Sequence, residues 1–277
     1  MIKTKTKLKV KRSFRVNIRS RHSTHDPLRT TLSRLPFRSI VRLGSTTELN
    51  DGKRRVECNS VQAVRNSSNK LLMKTKFKEN GVITPDWWVY SQGQFRKFNS
   101  TDASAVTPIG SLPLPIVAKH IYGSRNSGNT LIKTLEELKS YMVNKNPSNY
   151  IYERYFGAVR EYRLHINEDE CFYTCRKMLK EDTPEDHRWY RNDSNCVWIK
   201  EDNALFNKPS SWNDIVEESI KALKAVGLDV GAVDVKVKGN GVDFKILEIN
   251  SAPSFGDITL EKYSEVIPKI LKSKLYA

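Results

Sequence analysis

Three oxygen-bearing side chains lie close together near the C-terminus of the chain. Asp234 sits among apolar residues in the run GAVDVKV, and Glu248 and Asn250 are two residues apart in the run FKILEIN. Residues two apart on a strand share a face, and Lys238-Gly-Asn-Gly241 between the runs has the composition of a hairpin turn. Carboxylate and amide oxygens are ligands that Mg²⁺ accepts. The spacing predicts a magnesium site; three hydrophilic residues on the solvated face of a sheet are the alternative.

Lys119 ends an apolar run in the segment PIVAKHIYGSRNSGN, residues 115–129. A lysine at the end of a buried strand needs an anionic partner, because burying an unpaired charge is costly. Gly123 and Ser124 follow in a loop that Gly128 ends, and backbone N–H groups in such a loop can cover phosphates. The segment predicts phosphate binding; the tip of a β-hairpin is the alternative.

Apolar periodicity and capping residues predict the elements that must position these side chains. Asn80-Gly81 end one helix, a capping box at Thr134 begins another, and Ser210-Ser211 begin a third that Gly227 ends. The predicted helices are 68–79, one starting at 134, 210–227 and 259–271; the predicted strands are 39–43, 82–90, 115–118, 149–156, 160–166, 171–179, 231–237 and 244–250. We interpret residues 91–115 as a loop with one edge strand. The order predicts antiparallel sheets covered by helices, an α+β fold.

The charge of the chain is strongly positive. Its 277 residues are 38% hydrophobic, enough for one sizeable core or two modest cores that share a cleft, and its formal net charge is +16. Asp26 is the single acid among residues 1–35. Positive charge attracts polyanions, so a basic arm of residues 1–36 is expected to bind an acidic macromolecule or nucleic acid. A solvated, poorly ordered arm is the alternative.

The four cysteines, Cys58, Cys171, Cys175 and Cys196, lack the spacing of metal ligands. We expect neither a disulfide nor a cysteine metal site. The chain shows no signal-peptide pattern and no stretch apolar enough to span a membrane. We therefore expect a cytoplasmic protein without a membrane partner, in the host cytoplasm if the chain is encoded by a phage.

The candidate residues follow one another in an order that resembles the ATP-grasp enzymes, the superfamily of D-alanine:D-alanine ligase, glutathione synthetase and the ribosomal-protein glutamate ligase. The resemblance covers about Ser60 to Leu271, and its most specific part is the Glu-x-Asn-x-x-Pro ending. The matching segments are SNKLL around Lys70, IVAK ending at Lys119, YERYF at 152–156, EYR at 161–163, AVD ending at Asp234, and LEINSAP at 247–253. The resemblance implies two α+β lobes that grip ATP.

The resemblance also implies a role for each matching residue. Lys70 and Lys119 would contact the ATP phosphates or adenine N7, with Gly123 and Ser124 over the phosphates. The hinge that holds adenine, largely through its backbone, would be Glu153, Arg154, Tyr155 and Phe156, and Glu161 would bind the ribose hydroxyls. Asp234, Glu248 and Asn250 would hold Mg²⁺, with two ions expected and Mn²⁺ as an alternative. The basic and polar residues at the γ-phosphate and acyl phosphate would be Arg163, Lys177, Arg191 and Asn192; an outward strand residue and a loop residue are the alternatives for Arg163 and Arg191.

Enzymes of this superfamily activate a carboxylate by attack on the γ-phosphate, and an amine then displaces phosphate from the acyl phosphate. The resemblance implies an ATP- and Mg²⁺-dependent carboxylate–amine ligase whose partners are ATP, a carboxylate and an amine. The predicted regions are a basic arm (1–36), a reduced N-terminal region with the first helix (37–105), a small lobe (106–157) and a C-terminal lobe with the metal site (158–277).

The expected substrate follows from the short N-terminal region. The family's preceding α/β domain is absent or cut down, with Arg42-Leu-Gly44-Ser45 as a remnant strand and turn at the cleft edge or else a plain edge strand. An open cleft favours a peptide or protein substrate. Two other functions remain open, a nucleotide-binding but non-catalytic ATP-grasp protein and a nucleic-acid-binding protein that uses the arm.

Overall fold

The N-terminal part of the chain forms a small three-stranded sheet in the computed structural model, which describes residues 12–97, 105–123 and 128–276. Its elements are β1 (Asn17–Ser20), α1 (Leu28–Thr31), β2 (Ser39–Leu43) and β3 (Val56–Cys58). The central strand β2 pairs in parallel with β1 and β3. We call residues 12–58 the N-terminal unit.

Residues 12–36 differ from the interpretation of residues 1–36 as a basic arm. Ile18, Leu28 and Leu35 are buried in one apolar cluster with residues of the C-terminal helix. Polar and charged side chains alternate with apolar ones here, so that Ile18 points inward between the more exposed Asn17 and Arg19. Charge dominates the composition of this segment, yet its few apolar residues are enough to fix it on the core. Residues 1–11 lie outside the described part.

Two consecutive helices, α2 (Val61–Ser68) and α3 (Lys70–Glu79), follow the N-terminal unit. Ser60 caps α2 by accepting the Ala63 N–H at 3.1 Å, and Asn69 caps α3 by accepting the Leu72 N–H at 3.0 Å. The sequence predicted one helix at 68–79 and missed α2, because its eight residues bury only a short apolar patch. The predicted end at Asn80-Gly81 is confirmed.

The small lobe is a six-stranded antiparallel sheet with one helix on it. Its elements are β4 (Trp87–Ser91), β5 (Gln94–Lys97), β6 (Val106–Thr107), β7 (Ile116–His120), β8 (Thr130–Ile132), α4 (Leu135–Asn144) and β9 (Tyr150–Arg154). The strand order is β6-β5-β4-β9-β7-β8. Thr134 Oγ1 accepts the Glu137 N–H at 3.2 Å, as the capping box predicted. Trp88, Ile116 and Leu138 belong to the core between sheet and helix.

The large lobe is a five-stranded antiparallel sheet with one long helix packed on one face and a second helix after its last strand. Its elements are β10 (Arg160–Asn167), β11 (Cys171–Leu179), β12 (Cys196–Lys200), α5 (Trp212–Val226), β13 (Val230–Val237), β14 (Phe244–Asn250) and α6 (Asp257–Tyr276). The strand order is β12-β11-β10-β13-β14. Tyr162, Leu164 and Val233 face α5 and the main apolar core. The alternate positions face the small lobe and carry most of the charged residues discussed below.

The predicted α+β class is confirmed, with one parallel sheet, that of the N-terminal unit, beside two antiparallel ones. Across the described ranges, none of the helices combines the length and the apolar character needed to cross a membrane. The four cysteines are free thiols.

Candidate active site

A cavity of about 580 Å³ lies between the two lobes and the N-terminal unit. Its size is that of a small-molecule site. Every described residue among the sequence-predicted site residues lines it, namely Lys70, Lys119, Gly123, Glu153, Arg154, Tyr155, Phe156, Glu161, Arg163, Lys177, Arg191, Asn192, Asp234, Glu248 and Asn250. Ser124 lies outside the described residues. The structure therefore brings together side chains spread over most of the chain.

Strand register places the charged residues of the large lobe in two rows across the sheet. In the first row, Lys177 and Lys236 lie on either side of Glu161, with Trp198 beside Lys177. In the second row, Arg163 lies beside Asp234, and Asp234 lies beside Glu248. The first row alternates cation and acid, whereas the second places the acids Asp234 and Glu248 side by side, with one cation next to Asp234.

Asp234 is held by two cations. Arg163 donates to both carboxylate oxygens, from Nε at 2.7 Å and from Nη2 at 2.8 Å, and Lys177 Nζ lies 2.8 Å from Oδ2. Burial alone would raise the pKa of Asp234, but the two cations outweigh it and hold the pKa below its ordinary value. Asp234 is therefore a carboxylate whose negative charge is already compensated.

Glu153 is the corresponding acid of the small lobe. It is 2% exposed and pairs with Lys119 at 2.9 Å and with Lys74 at 3.3 Å. Lys119 thus meets the anionic partner that its burial requires. Lys74 is fully buried and also donates to Thr84 Oγ1; burial lowers its pKa to about 8. The triad ties helix α3 to strands β7 and β9 beneath the cavity floor.

Glu161 carries a third group of cations. Its carboxylate lies 2.9 Å from Lys177 Nζ, 3.8 Å from Arg191 and 4.0 Å from Lys236 Nζ. Lys236 also donates to the Trp189 carbonyl at 3.0 Å, and burial lowers its pKa to about 8. The resemblance assigns Glu161 to ribose hydroxyls, but in this structure its oxygens face cations. A ribose would have to share the carboxylate with them.

The three predicted metal ligands lie at one end of the sheet. Asp234 is the register partner of Glu248, and Asn250 is the partner of Ala232, two residues before Asp234. Asn250 Nδ2 is buried without a hydrogen-bond partner, and Glu248 Oε2 lies 3.9 Å from Lys70 Nζ. The unpartnered atom is the amide nitrogen, but the amide oxygen of Asn250 and the carboxylates of Asp234 and Glu248 form the kind of oxygen donor set that suits Mg²⁺. An ion at this position would compete with Arg163 and Lys177 for the Asp234 carboxylate. No cluster of three His, Cys, Asp or Glu residues suited to a metal occurs in the described ranges, so such a site depends on Asn250.

Two groups of predicted residues are used partly by the protein itself. The N–H groups of Arg154 and Tyr155 in the hinge donate to the Asp86 carbonyl at 2.8 Å and to the Pro115 carbonyl at 3.0 Å. Asn192 Oδ1 accepts the Ser194 N–H at 3.0 Å and so shapes its own loop. These contacts give the hinge N–H pair and the Asn192 oxygen structural roles alongside any ligand.

The sequence reading missed Lys74, Lys236 and Arg21. Lys236 could have been predicted from the two-residue period of the strand, because it lies two residues after Asp234 and so shares its face. Lys74 follows Lys70 by one helical turn, which places both on one side of α3. Arg21 gave no signal among the many basic residues of its segment; only the fold shows that it lines the cavity.

Comparison with known proteins identifies the fold. Neither the protein-family models nor the curated proteins contain a match to this sequence. Among solved structures, D-alanine–D-alanine ligase from Bacillus anthracis is 15% identical, with a TM-score of 0.63 over 94% of this chain and 97% of that one. Its complex with ATP gives 14% identity and a TM-score of 0.65 over the same shares.

A third solved structure, the ATP-grasp ligase PsnB complexed with a minimal precursor, is 14% identical, with a TM-score of 0.51 over 81% of this chain and 64% of that one. The chain therefore has the ATP-grasp fold, as the sequence predicted. The match to D-alanine–D-alanine ligase spans 94% of this chain, so it extends beyond the region from Ser60 onward that carried the sequence resemblance.

Proposed function

We propose that this protein is an ATP- and Mg²⁺-dependent ligase that joins a carboxylate to an amine through an acyl phosphate, with release of ADP and phosphate. The observation that carries the proposal is the convergence of the predicted phosphate-binding lysines and the three predicted metal ligands in one cavity. The ATP-grasp fold supports it, because both D-alanine–D-alanine ligase and PsnB are named as ligases.

The cationic side chains account for the binding of the nucleotide. In the proposal, Lys70 and Lys119 face the phosphates from the small-lobe side, and Arg163 and Lys177 face them from the large-lobe sheet. Glu153 holds Lys119 in position before ATP arrives, and Asp234 holds Arg163 and Lys177, which reduces the entropy lost on binding. Mg²⁺, held by Asp234, Glu248 and Asn250, would neutralise charge on the phosphates.

The chemistry then needs positioning more than a base. An oxygen of the substrate carboxylate attacks the γ-phosphorus, the bond from the γ-phosphorus to the ADP oxygen breaks, and an acyl phosphate forms. The amine attacks the acyl carbon, the C–O bond to phosphate breaks, and the nitrogen loses a proton as the amide forms. Arg163, Lys177 and Arg191 would offset the negative charge on the transferring phosphoryl group.

The short N-terminal region predicts an open cleft and favours a peptide or protein substrate. The N-terminal unit lines one side of the cavity through Arg21, His22 and Gly44. We therefore propose an acceptor whose reactive end is small enough to enter between this unit and the sheet, either a small amine or the end of a peptide.

Calorimetry of ATP binding with Mg²⁺ tests the first step. Glu248→Ala combined with Asn250→Ala should weaken binding at least tenfold, because both changes remove oxygen ligands. Asn213→Ala combined with Glu217→Ala, exposed on α5, is the matched control and should bind as the wild type does. Equal binding by wild type and the cavity variant would contradict the metal assignment.

ADP release with pools of amino acids and peptides tests the second step. Release that depends on a pool supports a ligase. ATP binding with no release from any pool would favour a non-catalytic nucleotide-binding protein. Absence of ATP binding, together with salt-dependent binding of DNA or RNA, would favour the nucleic-acid alternative.

A further inference from the structure

The three parallel strands of the N-terminal unit point their carboxyl ends toward the cavity. Arg21 and His22 follow β1, Gly44 follows β2, and all three line the cavity wall. Ligands commonly bind at the carboxyl ends of parallel strands, where loops leave the sheet. We call Arg21, His22 and Gly44 the rim. None of the three was among the sequence-predicted site residues, although the turn at Gly44 was expected at the cleft edge.

The rim and the residues beside it contact the loop that follows the predicted metal ligands. Gly44 has φ +75°, and a Cβ at this position would lie 2.8 Å from Ala252 Cβ. The buried His25 lies with Nε2 2.7 Å from the Pro253 carbonyl, and Thr24 Oγ1 accepts the Phe255 N–H at 3.1 Å. Three contacts therefore hold the N-terminal unit against residues 252–255, shortly after Asn250, so that both segments form one wall of the cavity.

The charge of this wall differs from that of the nucleotide side. The acids that line the cavity are Glu153, Glu161, Asp193, Asp234 and Glu248, and none of them belongs to the N-terminal unit. Arg21 is exposed to the cavity and donates to the neutral Thr46 Oγ1 at 3.4 Å; across the described ranges it forms no ion pair. An uncompensated guanidinium in a cavity wall is suited to binding a carboxylate in two-point contact.

The position of Arg21 indicates which carboxylate it would hold. Its Cβ lies 3.9 Å from the Cβ position of Gly44, which contacts Ala252, two residues after Asn250. Arg21 thus stands beside the metal end of the cavity, while the hinge residues stand at the other end. A carboxylate bound by Arg21 would therefore belong to a substrate that enters the cavity at the metal end, away from the hinge residues.

We propose, resting on the ligase function above, that Arg21 and the rest of the rim bind a free carboxylate on the amine substrate. The amine substrate is then an amino acid or a peptide with a free C-terminus. Its carboxylate is anchored by Arg21 and its amine is directed toward the acyl phosphate beside Asn250.

A competition experiment tests this subsite. The protein is incubated with Mg²⁺, ATP and an equimolar mixture of the proteinogenic amino acids, D-alanine and their α-amides. The products are identified and quantified by mass spectrometry. All donors are shared, so the ratio of dipeptide to dipeptide amide reports the choice of acceptor alone. A parallel reaction adds Ala-Ala and Ala-Ala amide and compares tripeptide with tripeptide amide, which distinguishes an amino-acid acceptor from a peptide acceptor.

The wild type should favour acid acceptors over amides at least tenfold. Arg21→Gln should bring the ratio close to one while the affinity for ATP with Mg²⁺ stays unchanged, and Arg21→Lys should keep part of the preference. Arg15→Gln, an exposed residue of the same basic segment outside the cavity lining, should behave as the wild type.

A wild-type ratio near one, or an unchanged ratio in Arg21→Gln, would overturn the subsite while leaving the ligase function intact. ATP binding without product from any acceptor would reject amino acids and peptides as ligands of the subsite. Failure of the wild type to bind ATP would instead remove the proposed function itself.

Discussion

The two faces of the five-stranded sheet of the large lobe bury different kinds of side chain. On the face toward α5, Tyr162, Leu164 and Val235 are fully buried among apolar neighbours. On the face toward the cavity, Glu161 and Asp234 are almost as buried, at 4% and 3% exposure, but among charges. The side chains on the two faces are therefore buried to a similar extent. Apolar contacts surround those on one face, and ion pairs offset the cost of burial on the other.

One sheet of the large lobe thus forms part of an apolar core with one face and the wall of a charged cleft with the other. The apolar face stabilises the fold by removing hydrocarbon from water. The charged face is held by ion pairs between neighbouring strands, which offset the cost of burial without adding much net stability. The same contrast recurs on α3, where Met73 and Phe77 enter the core and Lys74 reaches the acids of the cleft.

The largest expected effect comes from breaking a buried pair on the charged face. Asp234→Ala should lower the free energy of unfolding by about 3–5 kcal/mol, because Arg163 and Lys177 would lose their shared partner. It should also weaken ATP binding in the presence of Mg²⁺. Urea unfolding and calorimetry measure the two effects. Asp186→Ala, at an exposed acid, is the control, and equal stability of both variants would show that the pair does not hold the sheet.

A cavity on the apolar face should be almost as costly, with a different signature. Leu164→Ala should lower the free energy of unfolding by about 2–5 kcal/mol through lost packing. The folded fraction should bind ATP with unchanged affinity, because the side chain points away from the cavity. Leu275→Ala, at a partly exposed leucine, is the control in the same unfolding experiment. A large loss of ATP affinity in Leu164→Ala would mean that the two faces are coupled.

The buried lysine of α3 gives a pH-dependent effect. In the folded protein the pKa of Lys74 is lowered to about 8, below its value in the unfolded chain. Between these two pKa values the folded state has lost the proton and the unfolded state keeps it, so stability rises with pH. The charged and polar groups around it are Glu153, Lys119, Glu248 and Thr84.

Lys74→Met should remove this rise. From pH 7 to pH 10, the difference in free energy of unfolding between wild type and variant should shift in favour of the wild type by up to about 3 kcal/mol. Urea titrations at several pH values measure it. Lys76→Met, on the more exposed side of α3, is the matched control. Parallel pH profiles for wild type and Lys74→Met would contradict the lowered pKa.

The smallest effect is expected at the edge of the charged face. The Trp198 ring lies 5.1 Å from the Arg163 guanidinium and 5.6 Å from Lys177 Nζ, and the residue is 38% exposed. Trp198→Ala should cost about 1 kcal/mol in the free energy of unfolding. Trp198→Phe should retain part of it, and equal losses in both variants would show that the contact is not with the aromatic face.

Much of the candidate site could be predicted from the sequence. The i, i+2 spacing of Glu248 and Asn250, the hairpin at Lys238 and the apolar run before Lys119 each carried a local signal. The order of these signals along the chain led to the ATP-grasp fold, which the structural comparisons confirm. The roles of the individual residues stay predictions until ligand binding is measured.

Other features had no local signal. Helix α2 has too few apolar residues to show a period, and the excess of charge in residues 12–36 hid the apolar positions that fix them on the core. Lys119 needed an acid, but its identity as Glu153 follows only from the pairing of β7 with β9.

Local sequence patterns predicted β2, β4, β7, β9, β10, β11, β13 and β14, the ends of α3 and α5 and many of the side chains that share a face, because these depend on neighbours a few residues away. The strands β1, β3, β8 and β12 and the helix α2 were not predicted. The tertiary structure was needed to show which cation pairs with which acid and that Arg21 lines the cavity. Those contacts join residues that lie far apart along the chain, and they depend on strand register and on packing between separate elements, which no local pattern encodes.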